Sequence, residues 1–353
     1  MLRFATRIDH KTVSIGRQRG LSLVELMVAM VIGVILIGAV LQVFTGSSQT
    51  YRLTQANARV QESGRIGLDI LSRAIRNAGY YGCAQAISVT NNLRAGPAFN
   101  PDFHDIGGAG VDMPSDPTVF NAGTHSLRIT GSRSIAAGPT TNQPSVNAAN
   151  IQIDNNDDGL AGGDHVLISD CINADVFEIT SINTGSGNIR LVANSNVGTG
   201  NPGNNMSANS PPDCTNPNNC LSAEYQAGAQ IRRAYSELYF IEDNNQGNPA
   251  LFLNEGNGRV ELVDNIRDMR FRFRTAAGAV VDWQNPMPAG FDFADVVAVD
   301  ISLLAQNDRP NVIPEAQAIC FPAWAVCNDP ADFVANPENR LLRVYNTTVA
   351  LRN

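Results

Sequence analysis

Residues Leu21 to Phe44, LSLVELMVAMVIGVILIGAVLQVF, carry one charge, Glu25. At 1.5 Å per residue a helix of this length crosses a hydrocarbon core of roughly 30 Å. Arg3, Arg7, Lys11, Arg17 and Arg19 precede the run against a lone Asp9. Positive charge stays on the cytoplasmic side, so the N-terminus is expected in the cytoplasm and everything beyond Phe44 outside it. The chain is therefore expected to begin as a single-pass membrane helix, and its remainder must fold on the far side.

Glu25 separates this segment from the ordinary alternatives. A secretory signal has a shorter apolar region and an A-x-A-like cleavage site. A plain anchor gains nothing from a carboxylate facing hydrocarbon, which costs several kcal/mol and usually marks function. The run Arg19-Gly20-Leu21-Ser22-Leu23-Val24-Glu25 resembles the prepilin processing motif, which implies that a peptidase cuts after Gly20 and methylates Leu21. Glycine has no side chain to resist an extended conformation in an active site at the membrane surface. Glu25 can offer a free N-terminal amine an opposite charge in low dielectric. Residues 1–20 are thus expected to be a cleaved leader. Leu21 departs from the commoner phenylalanine or methionine.

The helical pattern continues past Phe44. Leu53, Ala56, Val60, Gly67, Leu71, Ala74 and Ile75 recur at threes and fours among charged residues, predicting an amphipathic helix over 45–78. Gly79 is suited to a left-handed cap, and Thr45–Ser48 is a place for a bend. From 79 to 353 the period becomes two. Strands are expected at Ala86–Thr90, Ser126–Thr130, His165–Ser169, Val176–Ile182, Ile189–Val192, Glu237–Glu242, Ala250–Asn254, Arg259–Val263, Met269–Arg274, Val296–Leu304 and Leu341–Leu351. Ala95–Pro117, Gly138–Ala149 and Val197–Cys220, rich in Asn, Gly, Pro and Ser, read as loops. The class is α+β, a long N-terminal helix packed on an antiparallel head with loop-rich insertions.

Six cysteines, Cys83, Cys171, Cys214, Cys220, Cys320 and Cys327, all follow the apolar run. An even number outside the cytoplasm, with no CxxC pair, points to structural disulfides. Spacing makes 214–220 and 320–327 reachable locally, which leaves Cys83 for Cys171. The balance of 25 basic and 33 acidic residues, net −8, provides no basic footprint for nucleic acid.

RNAGYYGC (Arg76–Cys83), GGDHVLISDCINADVFEITSI (Gly162–Ile182), ELYFIEDNNQGNPALFL, VELVDNIRDMRFRF and the ending RVYNTTVALRN resemble the PilW family of type IV pilus minor pilins. That family is related in fold to the J-type minor pseudopilins of type II secretion, the first rival reading. The resemblance implies an assembly role in a tip complex that primes the pilus. It implies as partners the other minor pilins, a large tip adhesin, prepilin peptidase and the inner-membrane assembly platform. A membrane-anchored periplasmic enzyme or binding protein is the second rival.

Catalysis finds little support. There is no G-x-S-x-G elbow and no H-E-x-x-H helix, and His104, His125 and His165 are scattered. Asp154-Asn155-Asn156-Asp157-Asp158-Gly159 copies the first half of a calcium loop, so Asp154, Asn156 and Asp158 are candidate ligands. His165 stands where the bidentate glutamate belongs, leaving Asp164 as a substitute, and an ordinary turn explains the run as well. Calcium is the one cofactor candidate. Glu242–Gly247 reads as a hairpin turn. Tyr80, Tyr81, Trp283 and Trp324 fit a sugar- or partner-binding face, although large rings are more often core.

Overall fold

The computed structural model describes all residues except 1–19, 21, 87, 109, 116–120, 122, 141–142, 144–149, 186–187, 195–201, 207–213, 217–219, 285 and 353. All of the expected leader except Gly20, together with Leu21, therefore lies outside the described residues, as do parts of the three expected loops. The chain divides into two compact units, Met1–Thr54 and Gln55–Asn353.

In the first unit the helix α1 (Leu23–Arg76) begins and runs unbroken through Thr45–Ser48. Its apolar side chains from Leu23 to Phe44 are almost all exposed, and it is long and apolar enough to cross a membrane. Thr45, Thr50 and Thr54 turn their hydroxyls back to carbonyls one helical turn earlier, at 2.9 to 3.0 Å. These polar groups are thereby satisfied within the helix itself.

The second unit contains the rest of α1, which is part of the head's core and not only a stalk leading to it. Ala56, Val60, Ser63, Gly64, Gly67, Leu71 and Ile75 are buried. The helix ends at Arg76, two residues before the expected Ala78, and Asn77–Gly79 form a turn. Gly79 has φ +69°, the left-handed geometry only glycine adopts cheaply, and its N–H donates to the Thr130 carbonyl at 2.9 Å. A Cβ on Gly110 would overlap the Gly79 backbone, so two glycines let the chain cross here.

The strands are β1 (Thr90–Asn91), β2 (Val111–Asp112), β3 (Leu127–Ser134), β4 (Asn150–Ile153), β5 (His165–Ser169), β6 (Ala174–Glu178), β7 (Ser181–Gly185), β8 (Asn188–Val192), β9 (Gln230–Asp243), β10 (Pro249–Asn254), β11 (Arg259–Asp264), β12 (Ile266–Thr275), β13 (Val280–Asp282), β14 (Val296–Gln306) and β15 (Leu342–Ala350). One sheet runs β1-β6-β5-β9-β10-β11 with β3 on β9 and β2 on β3. It is antiparallel except for the β1–β6 pair. A second is β13-β12-β14-β15 and a third β4-β8-β7. β9 organises the first sheet because its early residues pair with β5, its middle with β3 and its end with β10.

The largest core lies where the buried face of α1 meets β12 and β14, through Met269, Phe271, Phe273, Val299, Ile301 and Leu303, and is extended by Leu127, Ile129 and Ile241. Alternate burial along β12 puts its arginines on the opposite side, as the pleat requires. A second core joins the small sheet to β5 and β6 through Ile151, Ile153, Leu191, Val166, Ile168 and Phe177. The single strand expected over Val176–Ile182 is two, β6 and β7, since the chain leaves one sheet after Glu178 and enters another at Ser181. β2, inside an expected loop, and β4 and β13 were not expected. All three are four residues or shorter, too brief to show a period.

Candidate functional site

Gly20 is exposed, and a Cβ there would meet nothing within 4 Å. Three residues on, the helix starts. Ser22 caps it, accepting the Glu25 N–H on its Oγ at 3.2 Å, while its carbonyl takes the Leu26 N–H at 3.2 Å. This satisfies one of the orphan donors of the first turn. Ser-x-x-Glu is the sequence signature of such a cap, and Ser22 is a working residue that the reading of the motif passed over. Among the described residues the Glu25 carboxylate has no hydrogen bond or ion pair. It sits in the first turn, where the helix dipole favours negative charge, and is left free for a group from elsewhere.

All six cysteines are bridged: Cys83 to Cys171, Cys214 to Cys220 and Cys320 to Cys327, with Cα–Cα distances of 5.0, 6.3 and 5.8 Å. The first ties the turn after α1 to the β5–β6 hairpin, where Cys171 itself has φ +71°. Beyond the second bridge, Ser222 and Tyr225 donate to the buried Asp175 carboxylate at 2.7 and 2.6 Å, and Asn92 donates at 2.7 Å. Burial pushes the Asp175 pKa up, against these hydrogen bonds.

The four candidate calcium ligands, Asp154, Asn156, Asp158 and Asp164, each bond a protein group. Asp154 Oδ1 accepts from Gly138 N–H at 2.9 Å, and Asp158 Oδ2 accepts from Ala136 N–H at 2.6 Å. The Asn156 amide bonds both main-chain groups of Leu160. Asp164 takes the Ala161 N–H at 3.0 Å and pairs with Arg233 at 3.1 Å. Each side chain is committed to a different protein group, so this is a turn network. Among the described residues no group of three or more His, Cys, Asp or Glu is placed to hold a metal.

The histidines serve packing. His104 and His165 meet edge to face at 5.3 Å. His125 accepts the Phe271 N–H on Nδ1 at 2.9 Å and stacks on Trp283 at 4.2 Å. Burial, then the Arg270 charge, lowers its pKa to about 3, so it is neutral at physiological pH. Tyr81 is core, its hydroxyl bonded to Thr130 at 2.9 Å. Tyr80 is half-buried under Arg232. Trp283 and Trp324 are half-buried and line one cleft.

Residues 238–353, about the last third of the chain, match the family model described as Type IV Pilus-assembly protein W. Residues 15–41 match the prokaryotic N-terminal methylation motif, which includes Gly20, Leu21 and Glu25. No curated protein matches the chain. A solved structure, a type IV-like pilin from Thermus thermophilus, aligns at 18% identity over 34% of this chain and 68% of its own, with a TM-score of 0.19, too low an overlap to support any inference.

Proposed function

We propose that this chain is a PilW-family minor pilin of type IV pili, on the family match over residues 238–353 and the methylation motif over 15–41, and that it enters a tip complex that primes pilus assembly. The family is one of pilus-assembly proteins, and nothing among the described residues of the head gives positive evidence of catalysis. In this reading prepilin peptidase cuts after Gly20 and methylates Leu21. The N-terminus faces the cytoplasm, and the head waits in the periplasm until the assembly platform draws the subunit out with the other minor pilins and a tip adhesin.

The observation that carries the reading is the Glu25 carboxylate, without a hydrogen bond or ion pair among the described residues, in the first turn of an exposed apolar helix. An uncompensated charge at that depth is costly in hydrocarbon and becomes useful when a neighbour's N-terminal amine arrives. A head this large also crowds a fibre if repeated along it but fits at an end, where one side is open. Mass spectrometry of the membrane form is the test. A methylated N-terminus at Leu21 is expected, and a mature protein that retains residues 1–20 would overturn the reading.

A further inference from the structure

The chain's two tryptophans lie about forty residues apart in sequence yet line a single cleft of about 550 Å³ in the head, with Phe321, His125, Arg270 and Asp282. That volume is in the range of small-molecule sites. Each indole is held in place. Trp283 follows β13, donates its indole N–H to the Ser126 carbonyl at 3.1 Å, and has one face covered by His125. Trp324 rides on the loop closed by Cys320 and Cys327. That loop is pinned to β14 by the Ala323 N–H, which donates to Ser302 Oγ at 3.0 Å. The Arg272 guanidinium stacks over the Trp324 ring at 4.6 Å and is itself anchored by Asp300 at 2.6 Å.

One face of each indole is thus taken, and both rings line the cleft. Two polar groups there are without partners. Among the described residues Asp282 makes no side-chain hydrogen bond or ion pair, and the Trp324 indole N–H has no acceptor. Asp282 is exposed and Trp324 half-buried, so water reaches both groups and a ligand in the cleft can take its place. Rigid rings beside an open acceptor suit a ligand with an apolar C–H face and donating hydroxyls.

We propose that this cleft binds a neutral saccharide, one pyranose ring packing on the indoles and its hydroxyls donating to Asp282. A proline-rich peptide fits the aromatic surface but not the carboxylate, because proline has no N–H to donate. An acidic sugar would be repelled by Asp282. This proposal is independent of the assembly role and stands or falls separately from it.

Both tryptophans lie in the cleft, so tryptophan emission, excited apart from the seven tyrosines, reports on it. The full chain, kept in a detergent without a sugar headgroup, is titrated with glucose, galactose, N-acetylglucosamine and their β-linked disaccharides up to about 50 mM, where even a millimolar Kd saturates. At least one of them should give a saturable change. Asp282→Asn and Trp324→Ala should weaken binding tenfold or more, Trp324→Phe less, and Val326→Ala, on the exposed side of the same loop, not at all. Equal thermal midpoints and an intact 320–327 bridge verify folding, and if Trp324→Ala fails that check, Asp282→Asn decides alone. Absence of a saturable change with any of these sugars, an undiminished response in Asp282→Asn, or saturation by a polyproline peptide instead, would each overturn the proposal.

Discussion

The ring of Tyr345, on β15, lies against Gly64, on α1, so closely that a Cβ on the glycine would overlap it. Helix and sheet approach one another there because position 64 has no side chain. Glycine inside a helix costs about 1 kcal/mol relative to alanine, a cost accepted for the contact. Gly64→Ala should nonetheless destabilise the head, by about 1 to 2 kcal/mol, since overpacking typically costs 1–3 kcal/mol. Combining it with Tyr345→Ala should recover part of the loss in a double-mutant cycle read by chemical denaturation. A stabilised single variant would show that the ring swings aside freely.

The three bridges should differ in worth. Cys83–Cys171 closes a loop of sequence separation 88, and Cys320–Cys327 one of 7. Loop entropy assigns them about 4.6 and about 2.5 kcal/mol. Denaturation of the paired alanine variants, Cys83→Ala/Cys171→Ala and Cys320→Ala/Cys327→Ala, should reproduce that order. Peptide mapping without reductant that finds free thiols at 83 and 171 would remove the basis for it.

Mild acid should weaken the head through its buried histidines. Burial, then Arg270, holds the folded His125 pKa at about 3, against about 6.5 in an unfolded chain. Between those values the unfolded state binds a proton that the folded state refuses. This contribution is therefore fully present above pH 6.5 and lost as pH falls towards 3, at up to about 1.4 kcal/mol per pH unit. His165, lowered to about 4 chiefly by burial, acts with the same sign. Denaturant midpoints measured from pH 7.5 to pH 5 should fall, and His125→Gln should flatten the slope. An unchanged slope would mean that His125 takes up its proton without unfolding.

At lower pH a second loss follows. Burial works to raise the Asp300 pKa, but hydrogen bonds from Arg274, Thr348 and Arg272 outweigh it and hold the carboxyl below its usual range. A depressed carboxyl stabilises above its unfolded pKa of about 3.9 and ceases to do so as pH falls through the folded value. Asp300→Asn should therefore be most damaging at neutral pH and converge on the parent as pH falls through the depressed folded value.

Glu25→Ala should yield a cleaved, membrane-inserted protein with an unaltered head but weakened recruitment. The Ser22 cap bonds the residue-25 backbone N–H and not its side chain, so the helix start does not depend on the carboxylate. Co-purification with the other minor pilins at matched protein levels, together with a pilus count, measures the effect. Undiminished association and normal piliation would show that this subunit does without the pairing.

Local chemistry made much of this protein legible. An apolar run with one carboxylate, a helical period carried on to Ile75 and a glycine suited to a left-handed turn are short-range patterns, and α1 follows them closely. β5, β10 and β14 are apolar runs buried along half or more of their length, and they appear in the sequence for that reason. Tertiary structure decided what depends on distant partners. β4 exists because β8 pairs with it, and the break between β6 and β7 comes from a change of sheet, not from any turn residue. Asp154 and Asp158, spaced like calcium ligands, turn to separate amides because nearby backbone needed acceptors. Trp283 and Trp324 share a cleft only because a strand end and a disulfide-closed loop converge on one edge of the sheet. Periodicity records which face of an element is apolar; it does not record which other element will cover it, since that choice is made by the packing of the whole head.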